Sequence, residues 1–242
     1  MACTLKSVIN NGESCEEEFS GAGTRVYFFL ASDVKGRPQL TKKEKAEFRQ
    51  DAFNGLIGKL HAVDIKEDSA QVTSSANPNA GGFSNVLTFT VAKNMSKYSY
   101  NLRALHNLKC GAMVPDGKDG YYVVYSVFNS ATVENSGDTG TTPDSDHGHT
   151  TTMTANPMLF PMQRFVPVSG ASVTITAGKT LYKKVAGSDT VAEVTEGEAY
   201  DRTADYYTDE NGTVAAIFET DFDIEGGVPL DLDEWVASGE LD

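Results

Sequence analysis

Cysteine and tryptophan are scarce in this chain of 242 residues, which contains three of the first and one of the second. Cys3, Cys15 and Cys110 are too few, and odd in number, for a disulfide framework, and no Cys-x-x-Cys or Cys/His spacing indicates structural zinc. We therefore expect buried free thiols. Hydrophobic residues make up 40% of the chain, which is enough for a core in one large domain or two small ones.

Long hydrophobic runs are also missing. No run approaches the roughly 18 apolar residues that span a bilayer. The first residues, MACTLKSVINNGES, lack the apolar centre of about 7–15 residues that marks a signal peptide. We therefore expect no membrane anchor, and synthesis in a reducing cytoplasm without export.

Basic residues are few and unevenly placed. The chain has 20 Lys and Arg against 34 Asp and Glu, a formal net charge of −14. Residues 169–242 hold 17 acidic and 4 basic residues, a net of −13, which leaves −1 on residues 1–168. The composition disfavours tight nucleic-acid binding by the acidic third, because that binding needs Lys and Arg to neutralise phosphates. The charge either repels nucleic acid from a surface or keeps a soluble domain dispersed.

Recognisable catalytic motifs are absent: there is no nucleophile elbow, Walker loop, dinucleotide fingerprint or HExxH. The one cluster of metal-ligand type has D-x-D-H-x-H spacing, but it lies in a Gly/Thr-rich loop that gives its members no fixed geometry. Its members are Asp144, Asp146, His147 and His149. Acidic pairs such as Asp221/Asp223 could serve a hydrolase, the least favoured function. We expect no cofactor, no metal and no enzymatic activity.

Residues 86–127 contain the clearest structural pattern. Residues 86–93 alternate as a half-buried strand, and a Gly/Asp turn at 116–120 separates two short strands of a hairpin. Between the strand over 86–93 and this hairpin, Ser96 can cap a helix over residues 96–110 that Gly111 closes. The apolar stripe of this helix consists of Tyr98, Leu102, Leu105 and Leu108. The whole unit is explained by packing, which favours assembly over chemistry.

The remaining chain predicts further strands with polar connections. Residues 25–32 form the strongest apolar run and predict a core strand. Residues 41–50 predict a short basic helix with a thin apolar stripe, either solvated or ordered against a neighbouring subunit. Residues 133–149 predict a mobile loop, and 150–165 an edge or bent strand. The predicted fold is mainly β, a sandwich or barrel with one flanking helix over residues 1–168, followed by an acidic β module and extended arm over 169–242.

Several of these segments, in this order, resemble tail tube (major tail) proteins of bacteriophages that infect Bacteroides-type hosts. They are MACTLKSVINNGESC, GAGTRVYFFLASDV, AVDIKEDSAQVTSS, VLTFTVAK, the leucine helix and the hairpin DGKDGYYVVYSV. The resemblance covers roughly residues 1–168. It implies a small β-sandwich or barrel with a flanking helix, assembled into hexamer-like rings that stack as a tube through which DNA leaves the capsid. The implied partners are other copies of the chain, other tail or neck proteins of the virion and DNA in passage. The implied location is the phage tail, assembled in the bacterial cytoplasm.

Two departures leave other functions open. Residues 35–58 are long and rich in Lys and Arg, and a further portion follows Pro167. Both fit decorations of a tube subunit, a head-tail connector ring or a capsid decoration protein. A carbohydrate-binding surface module is an alternative of another class, supported by the β-like C-terminal part and Trp235.

Two groups of residues are candidates for assembly. The basic group, Lys42, Lys43, Lys45 and Arg49, could pair with the acidic third of a neighbouring subunit. The second group lies in the C-terminal arm and could anchor onto another surface. It consists of Pro229, Leu230, Leu232 and Trp235.

Overall fold

A computed structural model describes residues 23–36, 38–40, 45–77, 81–92, 103, 105–138, 148–185 and 187–236. The fold is mainly β, as predicted, and its largest unit is a nine-stranded antiparallel sheet. Its strands are β1 (Arg25–Leu30), β2 (His61–Asp64), β3 (Gln71–Ala76), β4 (Phe83–Ala92), β5 (Cys110–Pro115), β6 (Tyr121–Val124), β7 (Ala131–Asp138), β8 (Gly148–Met158) and β9 (Arg164–Phe165).

The sheet bends into two leaves at β5. The strand order is β2-β1-β5-β7-β8-β4-β3, with β6 beside β5 and β9 beside β6. Two strands pair with the same edge of β5: β6 pairs with its residues 112–115, and β7 pairs only at Cys110, opposite Ala131. We call β2-β1-β5-β6-β9 leaf A and β7-β8-β4-β3 leaf B. Among the described residues the leaves form an open sandwich rather than the barrel that the sequence left possible.

The first hydrophobic core lies between the leaves. Leaf A contributes Val26 and Phe28, and leaf B contributes Leu87, Phe89 and Met153, all nearly inaccessible to solvent. The rings of Phe28 and Phe89 meet across the sandwich at 5.9 Å. Alternation along β4 produces this core, since its odd-numbered residues from 85 to 91 are buried while the residues between them are half-exposed.

A second core covers the opposite face of leaf A. Tyr27 and Phe29 of β1 point into it, so both faces of β1 are buried, as its continuous apolar run predicts. The ring centroids of Phe29, Phe53, Phe165 and Trp235 follow one another at 5.8, 4.8 and 5.7 Å. A 3-10 helix over Asp51–Leu56 supplies Phe53 and closes this core from outside.

The C-terminal module has its own small core and three small sheets. Its strands are β10 (Val168–Ser169), β11 (Ser172–Ile175), β12 (Tyr182–Lys184), β13 (Val191–Glu193), β14 (Asp205–Tyr207), β15 (Phe222–Glu225) and β16 (Val228–Pro229). The chain enters by β10 and leaves by β16, and these two strands pair with each other. Residues 230–236 then return to leaf A and pack mainly with the first part of the chain. From the module, Arg202 reaches Glu234 at 4.0 Å and lies 5.8 Å from the centre of the Trp235 ring.

The helix predicted over 96–110 is wrong at its C-terminal end. Residues 103, 105 and 106 are helical, but Cys110 and Gly111 belong to β5, where Gly111 pairs with Phe29. A side chain at Gly111 would collide with the Phe29 ring, since an added Cβ would lie 2.3 Å from it. Leu105 is buried in the first core, whereas Leu108 is 43% exposed. Residues 93–102 and 104, including Ser96, Tyr98 and Leu102, lie outside the described residues.

Within two segments predicted to be solvated or mobile, the described residues belong to the sandwich, while 41–44 and 139–147 lie outside the described residues. Residues 45–50 form turns and bridges in place of a helix. Phe48 is buried in the second core, and its N–H donates to the carbonyl of Arg164. The predicted mobile loop at 133–149 belongs to β7 up to Asp138 and to β8 from Gly148. Its polar residues within β7 belong to a strand whose outward positions carry Thr, Glu and Ser.

Candidate assembly surfaces

The outer face of leaf B carries an array of hydroxyl side chains. Cross-strand registers align it in three rows, and we call these rows the threonine face. The rows are Gln71, Thr88, Thr152, Glu134; Thr73, Val86, Thr154, Thr132; and Thr90, Thr150, Ser136. Within these described rows Glu134 is the one charged side chain. The hydroxyls of Thr90 and Thr150 lie 3.4 Å apart.

The threonine face follows from strand alternation. Leu87, Phe89 and Met153 fill the first core, so the residues between them must point outward, and most of those are Thr. β-branched Thr suits a pleated, half-buried surface. The signal was visible in the sequence as LTFT and HTTTMT, but alternation in each strand alone does not reveal that the two segments are neighbours.

Leaf B ends in two strand edges that pair with no other described strand. β3 pairs only with β4, and β7 pairs only with β8 beyond Ala131. The helical residues flank the second edge, where Nδ1 of His106 donates to the carbonyl of Val133 over 2.5 Å. Because each neighbouring pair in the leaf is antiparallel, β3 and β7 run in opposite directions. Two copies placed side by side could therefore join the β3 edge of one to the β7 edge of the next as an antiparallel pair.

An open groove of about 550 Å³ lies between the helical residues and the β7 edge. His106, Glu134 and His149 line it. His149 is the described member of the predicted metal cluster, while Asp144, Asp146 and His147 lie outside the described residues. Across the described ranges, no three His, Cys, Asp or Glu side chains are grouped as metal ligands would be.

The predicted basic assembly group is divided by the structure. Lys42 and Lys43 lie outside the described residues, and Lys45 is exposed. Arg49 makes a bidentate ion pair with Asp51, at 2.9 Å and 2.5 Å, and its guanidinium lies 5.1 Å from the centre of the Phe218 ring. Arg49 therefore links the loop to the C-terminal module within one chain.

The predicted arm anchors on its own chain. Leu232 and Trp235 are fully buried in the second core, Leu230 packs against it, and Pro229 is exposed in β16. We call residues 230–236 the strap. Trp235 accepts a hydrogen bond at its carbonyl from Gly58 N–H over 2.6 Å. The expectation of an anchor onto another surface is thus wrong for Leu232 and Trp235, because the second core needs these apolar side chains. A buried Trp235 also lends no support to carbohydrate binding.

Tyrosine hydroxyls and one arginine fix the strap at its start. Tyr121 donates to Asp231 over 2.9 Å, and Tyr27 donates to Asp233 over 2.7 Å. Arg25 also donates to Asp233, over 3.0 Å. Burial and the neighbouring carboxylates raise the pKa of Tyr27 above its usual value, so its hydroxyl stays a donor. Sequence reasoning missed these partners because each pair is more than one hundred residues apart.

No protein family, curated protein or solved structure matches this chain. None of the helices in the described part of the chain combines the length and hydrophobicity needed to cross a membrane.

Proposed function

We propose that this chain is a structural subunit of a bacteriophage tail tube, and that it closes into rings through the two edges of leaf B. The observation that carries the proposal is the pair of antiparallel-compatible edges on one four-stranded leaf. The resemblance over residues 1–168 gives the proposal its biological setting.

Open strand edges favour ring formation. An edge presents a row of N–H and C=O groups that readily pair with another strand. A contact between the β3 edge of one copy and the β7 edge of the next joins different surfaces, and such head-to-tail contacts generate a ring when the rotation closes. In that ring, leaf B of every copy continues the sheet of its neighbour, and neither edge of leaf B is left unpaired.

The threonine face would then form one surface of a continuous wall. Lys and Arg are absent from its three described rows, so it offers no counterions to DNA phosphates. A wall of this kind suits a lumen through which DNA must slide without being retained. In this arrangement the lumen is lined by neutral hydroxyl groups, and not by the acidic residues that the sequence suggested.

The test is electron microscopy and sedimentation of the purified full-length protein. The wild-type chain should form rings that stack into tubes, whereas single rings without stacking would favour a connector ring and monomers would favour a decoration protein. Paired charges on an edge strand oppose edge pairing. The double variant Thr73→Lys, Ser75→Lys on β3 should therefore abolish rings while it keeps the monomer folded.

Thr152→Lys supplies the control, because it places a lysine on a central strand of the same face. It should still form rings, since it leaves both edges intact, and its lumen should retain duplex DNA more strongly. If Thr152→Lys stops assembly and the β3 variant does not, the threonine face is the subunit interface and the edge-pairing geometry is wrong.

A further inference from the structure

The C-terminal module is connected to the rest of the chain by two segments that lie side by side. Residues 168–169 of β10 pair with residues 228–229 of β16, and the neighbouring strands β11 and β15 pair with each other. These two ladders belong to separate two-stranded sheets. A short two-stranded stem therefore carries the module, and the hydrogen-bonded ladder is interrupted between the stem and the module's own strands.

Glycine residues occupy this interruption on both segments. Gly170 lies between β10 and β11, while Gly226 and Gly227 lie between β15 and β16. Their φ angles of 72°, 73° and 99° fall in the left-handed region, which glycine adopts without steric cost. A Cβ added at Gly170 or Gly226 would meet no atom within 4 Å. The two segments thus have room for backbone rotation at the same level, and changes at a few such residues are what a domain hinge requires.

Polar contacts hold the module against the loops that cover the second core. Lys35 forms an ion pair with Asp205, and Nδ2 of Asn54 donates to the hydroxyl of Tyr200 over 2.5 Å. We call these two contacts the latch. A cleft of about 480 Å³ stays open between the two sides, and among the described residues the apolar clusters of the second core and of the module share no member. Relative domain motion is expected across such an interface, whereas a large apolar one would prevent it.

Breaking the latch would transfer its polar groups to water, which can replace their hydrogen bonds. The side chains of Lys35 and Asp205 are already 40% and 46% exposed, so their attraction is weak and is screened by salt. Asn54 and Tyr200 are buried in the closed arrangement. The ion pair is therefore the part of the latch that responds to ionic strength.

We propose that the C-terminal module is a hinged body. It turns about Gly170 and residues 226–227, between the closed position of this structure and an open position in which the latch is broken. Opening widens the cleft and uncovers the loop around Asn54. The hinge lies within one chain, so the motion does not depend on the proposed tail tube function.

The experiment measures distances between two spin labels by pulsed electron paramagnetic resonance. The pair Glu67→Cys with Ala192→Cys spans the hinge, and the pair Glu67→Cys with Lys109→Cys lies within the first part of the chain; all three positions are exposed. Labelled full-length chain is diluted in excess unlabelled protein, so that distances within one chain are recorded. The spanning pair should show two distances, and the population of the second should increase from low to high salt. The pair within the first part should show one distance throughout.

Native cysteines are treated according to their burial. Cys3 and Cys15 are replaced by Ser, and Cys110 stays because it is fully buried and closed to the label.

Removal of the ion pair should act like salt. Lys35→Ala should raise the ratio of open to closed molecules at low salt by about 1.5- to 5-fold, the range that an exposed ion pair gives. Lys184→Ala is the matched control and should leave the ratio unchanged. It removes a lysine of similar side-chain exposure, 37% against 40%, whose partner Asp189 lies in the same module.

Three results would overturn the proposal: a single distance for the spanning pair at every salt concentration, an equal change in the pair within the first part, or equal ratios for Lys35→Ala and Lys184→Ala. The wild-type salt series alone distinguishes a hinged module from a fixed one, even where Lys35→Ala fails to fold. Ring formation is read separately by microscopy, so each of the two proposals can fail without the other.

Discussion

At the scale of single residues, the two cores are separated by alternate side chains of one strand. Val26 and Phe28 belong to the core between the leaves, whereas Tyr27 and Phe29 belong to the core beneath the strap. β1 therefore has no face left for solvent. A substitution at an even-numbered position of the strand affects the core between the leaves, and one at an odd-numbered position affects the core beneath the strap. A similar contrast separates Leu105, which is buried, from Leu108 three positions later, which is exposed.

Leu105→Ala should destabilise the fold by about 2–5 kcal/mol, through lost transfer free energy and the cavity left in the first core. Leu105 is 3% exposed. Leu108→Ala is the control: Leu108 is 43% exposed, and its truncation should change stability by no more than about 0.5 kcal/mol. Urea denaturation of both variants measures the difference. Equal losses would mean that Leu105 and Leu108 pack differently from the described arrangement.

At the scale of elements, local pattern predicted the strands but not their partners. Alternation identified β4, the β5–β6 hairpin and the buried β1, because each pattern is fixed by the strand's own residues. The single pair between Cys110 and Ala131, which divides the sheet into two leaves, has no local signal. Phe48 was assigned to a basic segment, either solvated or ordered against a neighbouring subunit, because its charged neighbours dominate the sequence. In the structure it is buried and bonded to Arg164, more than one hundred residues away.

At the candidate assembly surfaces too, local sequence identified the residue types but not their partners. The basic residues around Arg49 could be found from composition, but the use of Arg49 within the chain depends on Phe218 in the module. Leu232 and Trp235 were predicted to anchor onto another surface, whereas the structure buries both in the second core of their own chain. Sequence gives the apolar character of such a segment, and only the assembled second core shows where that character is satisfied.

Trp235→Ala should cost about 3–5 kcal/mol, because it empties the centre of the second core. Trp235 is fully buried against Phe165, so the strap stabilises the monomer before any assembly occurs. Val228→Ala, at a 69% exposed site just before the strap, should be nearly neutral. Denaturant titration of the two variants separates these cases. A loss below about 1 kcal/mol for Trp235→Ala would return the strap to the role of an intermolecular arm, and deletion of residues 226–242 would then weaken assembly without lowering monomer stability.

At the scale of the whole molecule, charge is distributed between parts with different roles. The acidic residues concentrate after residue 168, while the first part of the chain is almost neutral. Within the module, several acids are paired internally, for example Glu198 with Lys183 and Asp221 with Lys179. Asp223, Glu225 and Glu193 lie exposed on its strands. Lys45 remains an exposed cation in the first part, so charge pairing between copies has candidates on both sides.

Assembly should weaken as salt increases, because exposed ion pairs contribute only about 0.2–1 kcal/mol each and are screened over a Debye length of roughly 8–10 Å. The triple variant Lys42→Glu, Lys43→Glu, Lys45→Glu should show the same weakness already at low salt. Arg49 is left unchanged, since its pairing with Asp51 would confuse an effect on the fold with one on the interface.

Single variants Lys45→Glu and Lys109→Glu compare the basic segment with an exposed lysine elsewhere, and only the first should weaken assembly. Sedimentation from low to high salt measures the effect, and a filter assay at physiological ionic strength should show no retained duplex DNA for wild type or triple variant. Salt-independent assembly would eliminate charge pairing between copies, and DNA tightly held by the wild type would replace the conduit with a nucleic-acid-binding virion protein.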